Sequence, residues 1–490
     1  MNDQAVRKRL NQLPVAELIR VQREHGRRRL PDEFKTRWQA AHRRAVDLLR
    51  DDGRGRPVRA TAALLRETTY ALHMMTQSEP VTYYSYTDVG VIDWYIGSPH
   101  APIRELKERT LRGAFALFHD LARFESDSLS GFEERHKEAF DADAVRARQE
   151  AIRRAVTECD GALAKVGLPG LGRPLPIPPH DTLEGYAVEP ARLGALVHLT
   201  CFPRTTCHDE VVFLRTIHIG ELCFFALRVV FAEAVENLRR GRPSETVAGL
   251  KQGTAVTALL WHTFQVLTTM PVPHFFGFRE YTERGSAIQS RNYQLLDIHY
   301  RGVDSRKLEV YRQNRSLEDL RRFRHPSFVS LRAALRDPGV QQLAGADWLR
   351  VEAAARQLDR ELLKWRGLHL QFAKNYLGQP ESEDTAPTAA TGGTSGYPYL
   401  NQYLREGLFA YSAEDQAALE ESVPGLTEYL SQRPIHGPGG VAPPTLLRGI
   451  GSAEAEETWS PPSQPAPESP DRVAGAAPDG VTPAPAEPTP

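Results

Sequence analysis

The stretch that decides the fold is Val211–Val235, which reads VVFLRTIHIGELCFFALRVVFAEAV. A second stretch, Val247–Thr269, reads VAGLKQGTAVTALLWHTFQVLTT. Both are long, strongly apolar and free of proline. Segments of this kind are typical of helices buried inside a bundle. They predict an all-α fold in which both are buried helices.

Further helices are predicted on either side of these two. The segments with helical apolar spacing are residues 34–49, 102–124 and 144–166. Residues 80–95 are rich in Thr, Tyr and Val, and no helix is expected there. Residues 303–365 are predicted to form shorter helices with many exposed charges, broken near Pro326 and Pro338.

Changes of composition predict four regions along the chain. Residues 1–167 are expected to form a mainly helical N-terminal extension. Residues 168–180 are too rich in Gly and Pro for a helix and are expected to be a linker. Residues 181–435 then form the main helical domain. Residues 436–490 are dominated by Pro, Ala, Glu and Ser, which predicts a disordered tail.

The overall composition is that of a globular protein. The chain has 490 residues, 41% of them hydrophobic and 25% charged, with a net charge of −1. This balance argues against nucleic acid or a membrane as the main partner. No run of about 18 apolar residues occurs, and no apolar stretch follows the charges at the N-terminus, so a cytoplasmic protein is expected.

Two local features leave alternatives open. The first 60 residues contain sixteen Lys and Arg against eight Asp and Glu, which is typical of a solvated helical face or, less often, of a surface for an acidic partner. The four cysteines have no CxxC spacing, so no zinc or thioredoxin site is expected. Cys201 and Cys207 are near enough in sequence to pair, but a reduced chain is favoured.

Three short motifs follow one another in the main domain. The first is HDEVVF, His208–Phe213, followed by Glu221 and Leu222. The second is FREY, Phe278–Tyr281. The third is WRGLH, Trp365–His369, followed by the loop TGGTSG at Thr391–Gly396. Each motif alone is weak evidence, but their order and spacing together are specific.

These motifs resemble the tryptophan 2,3-dioxygenase family over roughly residues 180–435. The resemblance implies a helical bundle of the tryptophan/indoleamine 2,3-dioxygenase type that binds haem b. By this resemblance His369 is the axial ligand of the haem iron, Trp365 belongs to the same haem-binding helix, and Ser286 lies near the haem edge. Five-coordinate haem needs one imidazole on iron and an open opposite face.

The resemblance also assigns residues that hold an amino-acid substrate. Arg279 would bind the carboxylate, because its planar guanidinium can donate two parallel hydrogen bonds to it. Thr391 and Gly392, in the glycine-rich loop, would hold the ammonium and carboxylate. The alternatives are that Arg279 forms a surface ion pair with Glu280 or Glu283 and that the loop is a flexible linker.

Two aromatic residues are implied at the pocket wall. Phe213 matches a phenylalanine that packs against the indole ring, and Tyr186 resembles a tyrosine that the neighbouring subunit contributes. Without the ordered motifs, Phe213 would be interpreted as a core aromatic and Tyr186 as a linker residue.

The chain departs from the family pattern on the distal side. Ile217 stands where the family has a histidine, and His218 follows one residue later. One residue turns a helical side chain by about 100°, so His218 replaces that histidine only if the helix register shifts. No residue is therefore assigned as a catalytic acid or base. Other departures are an acidic insert at residues 379–387 and the first 180 residues.

The function that the resemblance implies is insertion of both oxygen atoms of O₂ into L-tryptophan, or a derivative, to give N-formylkynurenine. This is the first step of tryptophan catabolism by the kynurenine pathway. A homotetramer is implied as well. One alternative is a monooxygenase acting on a modified tryptophan or a tyrosine in biosynthesis, which Ile217 favours. Another is a non-catalytic haem-binding regulatory protein.

Overall fold

The computed structural model describes residues 15–50, 62–70, 81–97, 101–131, 140–177, 191–283, 285–342, 345–377 and 407–409. Every regular element in these ranges is a helix, which confirms the all-α fold. Tyr186, Thr391, Gly392 and the predicted tail, residues 436–490, lie outside the described residues.

The α-helices are numbered here in chain order. They are α1 Val15–His25, α2 Asp32–Arg50, α3 62–70, α4 Tyr83–Thr87, α5 Val89–Ile96, α6 Ile103–Leu129, α7 Ala142–Lys165, α8 Arg192–His198, α9 His208–Arg239, α10 Pro243–Leu267, α11 Val272–Arg279, α12 Arg291–Arg301, α13 Leu308–Gln313, α14 Leu331–Leu335, α15 Pro338–Gln341 and α16 Gly345–Leu377. Short 3-10 helices occur at Arg27–Arg29, Glu280–Thr282, Ala287–Gln289, Ser305–Lys307 and Arg315–Arg324.

Helices α9 and α10 form the centre of the bundle, as their apolar sequences predict. Helix α9 packs against α6, α10 and α12, while α10 also packs against α7 and α16. Side chains are buried on nearly every side of α9, because other helices surround it. The predicted helices at 34–49, 102–124 and 144–166 are confirmed within α2, α6 and α7.

The prediction that residues 80–95 contain no helix is wrong. They contain α4 and α5. Thr82 begins α4 with a reciprocal capping box to Ser85, and the left-handed residue Asp88 separates α4 from α5. Tyr83 and Tyr86 are buried, so tertiary packing rather than local propensity stabilises these short helices.

The prediction of short helices up to residue 365 is also wrong in its last third. Residues 345–365 belong to α16, which runs unbroken for 33 residues. Its exposed charges form pairs three or four residues apart, such as Arg350 with Asp347, which support a long helix.

One apolar core includes residues on both sides of the predicted linker. Phe115 and Ile152 precede the linker, Leu168 and Leu171 lie in it, and Ile219 follows it; all five share this core. The first part of the linker is therefore packed against the bundle. Whether residues 1–167 form a separate functional unit stays a prediction.

The four cysteines are in the reduced form. Cys159, Cys201, Cys207 and Cys223 are all buried, and none forms a disulfide bond.

In the described part of the chain no helix combines the length and apolar character needed to span a bilayer.

A buried ion network joins the helices where α9 begins. The Arg148 guanidinium on α7 lies 2.6 Å from Glu125 on α6 and 2.8 Å from Asp209 on α9. Glu125 also lies 2.9 Å from the His208 ring, and Asp209 lies 2.6 Å from the His274 ring on α11. Because all these groups except His274 are fully buried, each carboxylate depends on Arg148 or a histidine for compensation.

Replacement of Arg148 is expected to destabilise the bundle strongly. Arg148→Ala leaves Glu125 and Asp209 with their charges only partly compensated, which should lower the free energy of unfolding by about 3–5 kcal/mol. Arg146→Ala on the same helix is the control, because Arg146 and its partner Asp143 are exposed and should contribute less than about 1 kcal/mol. Urea denaturation of the three proteins measures both effects, and equal midpoints would contradict the assigned role of the network.

Candidate functional site

His369 lies in the last third of α16, in the interior of the bundle. Its ring centroid is 5.0 Å from that of Phe264 and 5.9 Å from that of Trp365. Burial lowers the pKa of His369 to about 4, so the imidazole is neutral at pH 7. Its Nδ1 atom is buried and has no hydrogen-bond partner among the described residues. The residue as a whole is half-buried rather than fully buried.

Aromatic side chains surround Trp365, one helical turn before His369. Phe224 from α9, Phe264 from α10 and Tyr293 from α12 each contact its ring, with centroids 5.6, 5.7 and 6.1 Å away. Trp365 is almost fully buried, whereas Phe224, Phe264 and Tyr293 are half-buried. Three helices thus fix the orientation of the helix that carries His369.

Arg366 anchors the same turn of α16 to α12. Its guanidinium lies 3.1 Å from the Asp297 carboxylate, and Arg301 and Lys307 bind the same carboxylate. Burial raises the pKa of Asp297, but the attraction of these three cations outweighs it and holds the pKa well below its usual range. Arg366 is therefore a structural partner of the helix rather than a group facing His369.

Phe213 belongs to the apolar cluster beside His369. Its ring contacts Phe275 and Phe278 of α11, at 5.8 and 5.3 Å between centroids. Phe275 and Phe264 in turn both contact Phe372, which follows His369 by three residues on α16. Phe213 and Phe264 therefore pack against the same aromatic cluster, and Phe264 also contacts His369.

Ile217 lies one helical turn after Phe213 on α9. Both side chains are half-buried, although most of the residues around them on α9 are fully buried. Residues four apart share one face of a helix, so Ile217 continues the wall that Phe213 begins. That wall is apolar at both positions.

His218 does not share the face of Ile217. It is fully buried, and its Nε2 atom donates a hydrogen bond to the Thr87 carbonyl oxygen of α4 at 2.6 Å. Burial lowers its pKa to about 3. Helix α9 is continuous through this position, without a shift of register. His218 therefore contacts α4 instead of taking the place of the missing histidine.

Arg279 is the last residue of α11, and its guanidinium lies over the Phe275 ring at 5.8 Å. Partial burial lowers its pKa, but an arginine remains charged at pH 7. Glu283, one of its suggested partners, is bound by Arg204 at 2.6 Å and by the Val81 amide at 2.8 Å. Arg279 thus places a cation at the edge of the aromatic cluster around Phe213.

Ser286 is half-buried at the start of the 3-10 helix Ala287–Gln289. Its carbonyl oxygen accepts a hydrogen bond from the Gln289 amide at 2.8 Å. The roles suggested for Ser286, Tyr186, Thr391 and Gly392 stay predictions.

Glu221, which follows the first motif and was given no role from the sequence, is a buried carboxylate on α9. Glu221 accepts hydrogen bonds from the hydroxyls of Tyr83 and Ser290, both at 2.5 Å, and from the Asn292 amide at 2.9 Å. Burial raises the pKa of Glu221, and burial together with Glu221 raises that of the adjacent Asp93 to about 7. An acid inside an otherwise apolar helix is a signal that donors must converge on it.

The residues around His369 fit a haem group. Haem iron needs a neutral imidazole with an available lone pair, and its porphyrin needs apolar walls. His369 provides the first, and Phe264, whose ring contacts that of His369, provides part of the second. No group of three or more His, Cys, Asp and Glu side chains suited to a metal ion occurs in the described ranges.

Comparison with known proteins identifies two distant relatives. The chain is 29% identical over 109 residues to "Tryptophan 2,3-dioxygenase" of Anaeromyxobacter sp. (strain K), covering 22% of this chain and 41% of the relative. It is 22% identical over 241 residues to the protein of the same name from Anaeromyxobacter dehalogenans (strain 2CP-C), covering 41% of this chain and 84% of the relative. The chain thus spans about two fifths of the first relative. No protein-family model matches it.

The low pKa of His218 predicts a dependence of stability on pH. Folded His218 stays neutral down to about pH 3, whereas the unfolded residue takes up a proton below about pH 6.5, so its contribution to stability falls as the pH is lowered. We expect the destabilisation caused by His218→Gln at pH 7 to shrink by about 2 kcal/mol at pH 5. Urea midpoints at the two pH values measure this change. Ile219→Ala is the control, because it removes a buried, non-titrating side chain and should cost the same at both; a pH-independent effect of His218→Gln would refute the assignment.

Proposed function

We propose that this protein is a haem-dependent oxygenase that cleaves the C2–C3 bond of the indole ring of L-tryptophan, or a derivative, to give N-formylkynurenine. The observation that supports it most is the neutral, half-buried His369, whose neighbour Phe264 packs against the same aromatic cluster as Phe213, with Arg279 at the edge of that cluster. The distant similarity to two proteins named tryptophan 2,3-dioxygenase supports the same chemistry.

In this proposal His369 is the axial ligand of haem b. Haem supplies the site at which O₂ is bound and activated when the cofactor is present. Trp365 and its aromatic neighbours hold the ligand helix in place. Ser286 is proposed to lie at the haem edge.

The protein's own contribution is to bind and orient the amino acid. Arg279 pairs with the substrate carboxylate, where a guanidinium can donate two parallel hydrogen bonds. Thr391 and Gly392 are proposed to hold the ammonium and carboxylate from the other side. Phe213 and Ile217 pack against the indole ring and exclude water, which places C2 and C3 for reaction.

The proposed reaction balances without an external electron donor. The C2–C3 bond of the indole breaks, and each carbon gains one oxygen atom from the same O₂ molecule. The side chains assigned to the pocket therefore need only position the substrate. This agrees with the apolar residue Ile217 at the position where the family has a histidine.

The oligomeric state and the cellular location are also proposed from the family resemblance. The family resemblance implies a cytoplasmic homotetramer in which Tyr186 reaches the site of a neighbouring subunit.

A monooxygenase is the alternative reaction. Ile217 supports it, because a pocket wall without a hydrogen-bonding group discriminates less between aromatic rings. The mass of the product separates these reactions.

The proposal is tested first by spectroscopy. The purified protein should bind haem with a Soret band, and His369→Ala should abolish that band or its ferrous five-coordinate character. His262→Ala is the matched control. His262 is another buried histidine; it pairs with Glu158 of α7, and it lies on the opposite face of α10 from Phe264.

The mass of the product is the second test. Incubation with tryptophan and O₂ should give a product heavier by two oxygen atoms. One added atom would support the monooxygenase, and none would support a non-catalytic protein.

The distal wall leads to a second expectation. With Ile217 in place of a histidine, the indole N–H has no side-chain acceptor there, so replacing that hydrogen by methyl should cost little. L-Tryptophan and its N1-methyl derivative should differ by about 1 kcal/mol or less in apparent binding. Ile217→His should restore discrimination against the methylated compound. Strong exclusion of N1-methyltryptophan by the wild-type protein in a spectral titration would contradict this assignment.

A further inference from the structure

The basic N-terminal region contains a short segment that lies against the loop leading into α9. This segment, Gly26–Arg29, is called the strap below. The Arg27 amide donates a hydrogen bond to the Pro203 carbonyl oxygen at 2.9 Å, and the Arg28 amide donates one to that of Arg204 at 3.2 Å. The strap therefore pairs through its backbone with residues about 175 positions later in the chain.

Arg27 and Gly26 fix the strap in this place. Arg27 is fully buried, where its guanidinium pairs with Asp88 and donates to the Ser85 carbonyl oxygen at 2.8 Å. Gly26 has a φ of +67°, and a Cβ there would lie only 2.7 and 2.8 Å from the carbonyl oxygens of Arg204 and Thr205. A side chain at position 26 would have to displace backbone atoms, so the contact requires glycine.

The strap also reaches the turn that follows Arg279. The Arg28 guanidinium lies over the Tyr281 ring at 3.9 Å. Arg204, to which the strap is bonded, donates hydrogen bonds to the Tyr281 carbonyl oxygen at 2.5 Å and to Glu283 at 2.6 Å. Two arginines thus hold this turn, one directly from the strap and one through the loop beneath it.

The turn is continuous with the end of α11. The 3-10 helix Glu280–Thr282 begins directly after Arg279, and the Thr282 hydroxyl donates to the Arg279 carbonyl oxygen at 2.8 Å. Glu283 completes the turn with a φ of +47°, a conformation that costs energy and persists where neighbours enforce it. Movement of the turn would therefore move the backbone of Arg279.

We propose that the strap is a positioning element for Arg279 and so sets the affinity of the site for the carboxylate of its substrate. This inference rests on the proposed function, in which Arg279 binds that carboxylate. It gives the N-terminal region a role inside its own chain. Because a carboxylate is bound alike before and during the reaction, loosening the strap should raise KM and leave kcat nearly unchanged.

The test uses two variants of the strap in the full-length haem-loaded protein. Arg28→Gln removes the cation over Tyr281, and Gly26→Ala blocks the backbone contact. Gly241→Ala is the matched control, because Gly241 has a φ of +66° but nothing within 4 Å of the Cβ it would gain. Amide hydrogen exchange of residues 280–283 is measured without tryptophan, together with KM, kcat and the Soret band.

We expect exchange in the turn and KM for tryptophan to rise about two- to fivefold in Arg28→Gln, the range of an exposed cation–π contact. In Gly26→Ala both should rise about tenfold or more. The Soret band and kcat should not change, and Gly241→Ala should match the wild type in the turn. Unchanged exchange in both variants would overturn the inference, and so would faster exchange with an unchanged KM.

Failure of the proposed function would look different. Wild-type protein that neither binds nor turns over tryptophan would refute the function and, with it, the role of the strap in substrate affinity. The exchange comparison does not use tryptophan, so it would still decide whether the strap holds the turn after Arg279.

Discussion

The constraint on which the rest of the structure depends is the burial of α9. A helix with neighbours on almost every side must still satisfy each of its polar groups, because an unpaired buried charge costs several kcal/mol. Asp209 forms an ion pair with Arg148, and Arg215 forms one with Asp120. His218 donates a hydrogen bond to the Thr87 carbonyl oxygen. Each partner lies on a different element. The polar residues of α9 thereby determine where α4, α6 and α7 are placed around it.

Much of the architecture could be predicted from the sequence, because long helices carry a strong periodic signal. Helices α6, α7, α9 and α10 were expected near their observed bounds. Helices α4 and α5 were missed. The buried tyrosines of α4 bond to carboxylates on α9, and Tyr95 of α5 bonds to the Arg109 carbonyl oxygen of α6. No local pattern encodes such pairing. The length of α16 was missed because its exposed charges resemble those of short surface helices.

The candidate site could be predicted only in part. The motifs are separated by tens of residues, yet Phe213, Arg279 and His369 come together around the aromatic cluster of α10, α11 and α16. The surroundings of Glu221 could not be anticipated, since its donors come from α4, from α12 and from the residue that caps α12. The basic N-terminal segment was interpreted as a solvated face, but Arg27 is buried and pairs with Asp88. Spacing along one helix gives no information on partners so distant in sequence.

The burial of the cysteines determines how their thiols react with oxidants. Burial raises the pKa of the Cys207 thiol to about 11 and those of Cys159 and Cys223 further still, so almost no thiolate exists at neutral pH. The thiolate is the form that reacts with peroxide and with alkylating reagents. In the folded chain these three thiols are therefore unreactive toward such reagents. They become reactive when the bundle opens, so the rate at which a thiol reagent labels them reports how often the core is exposed to solvent.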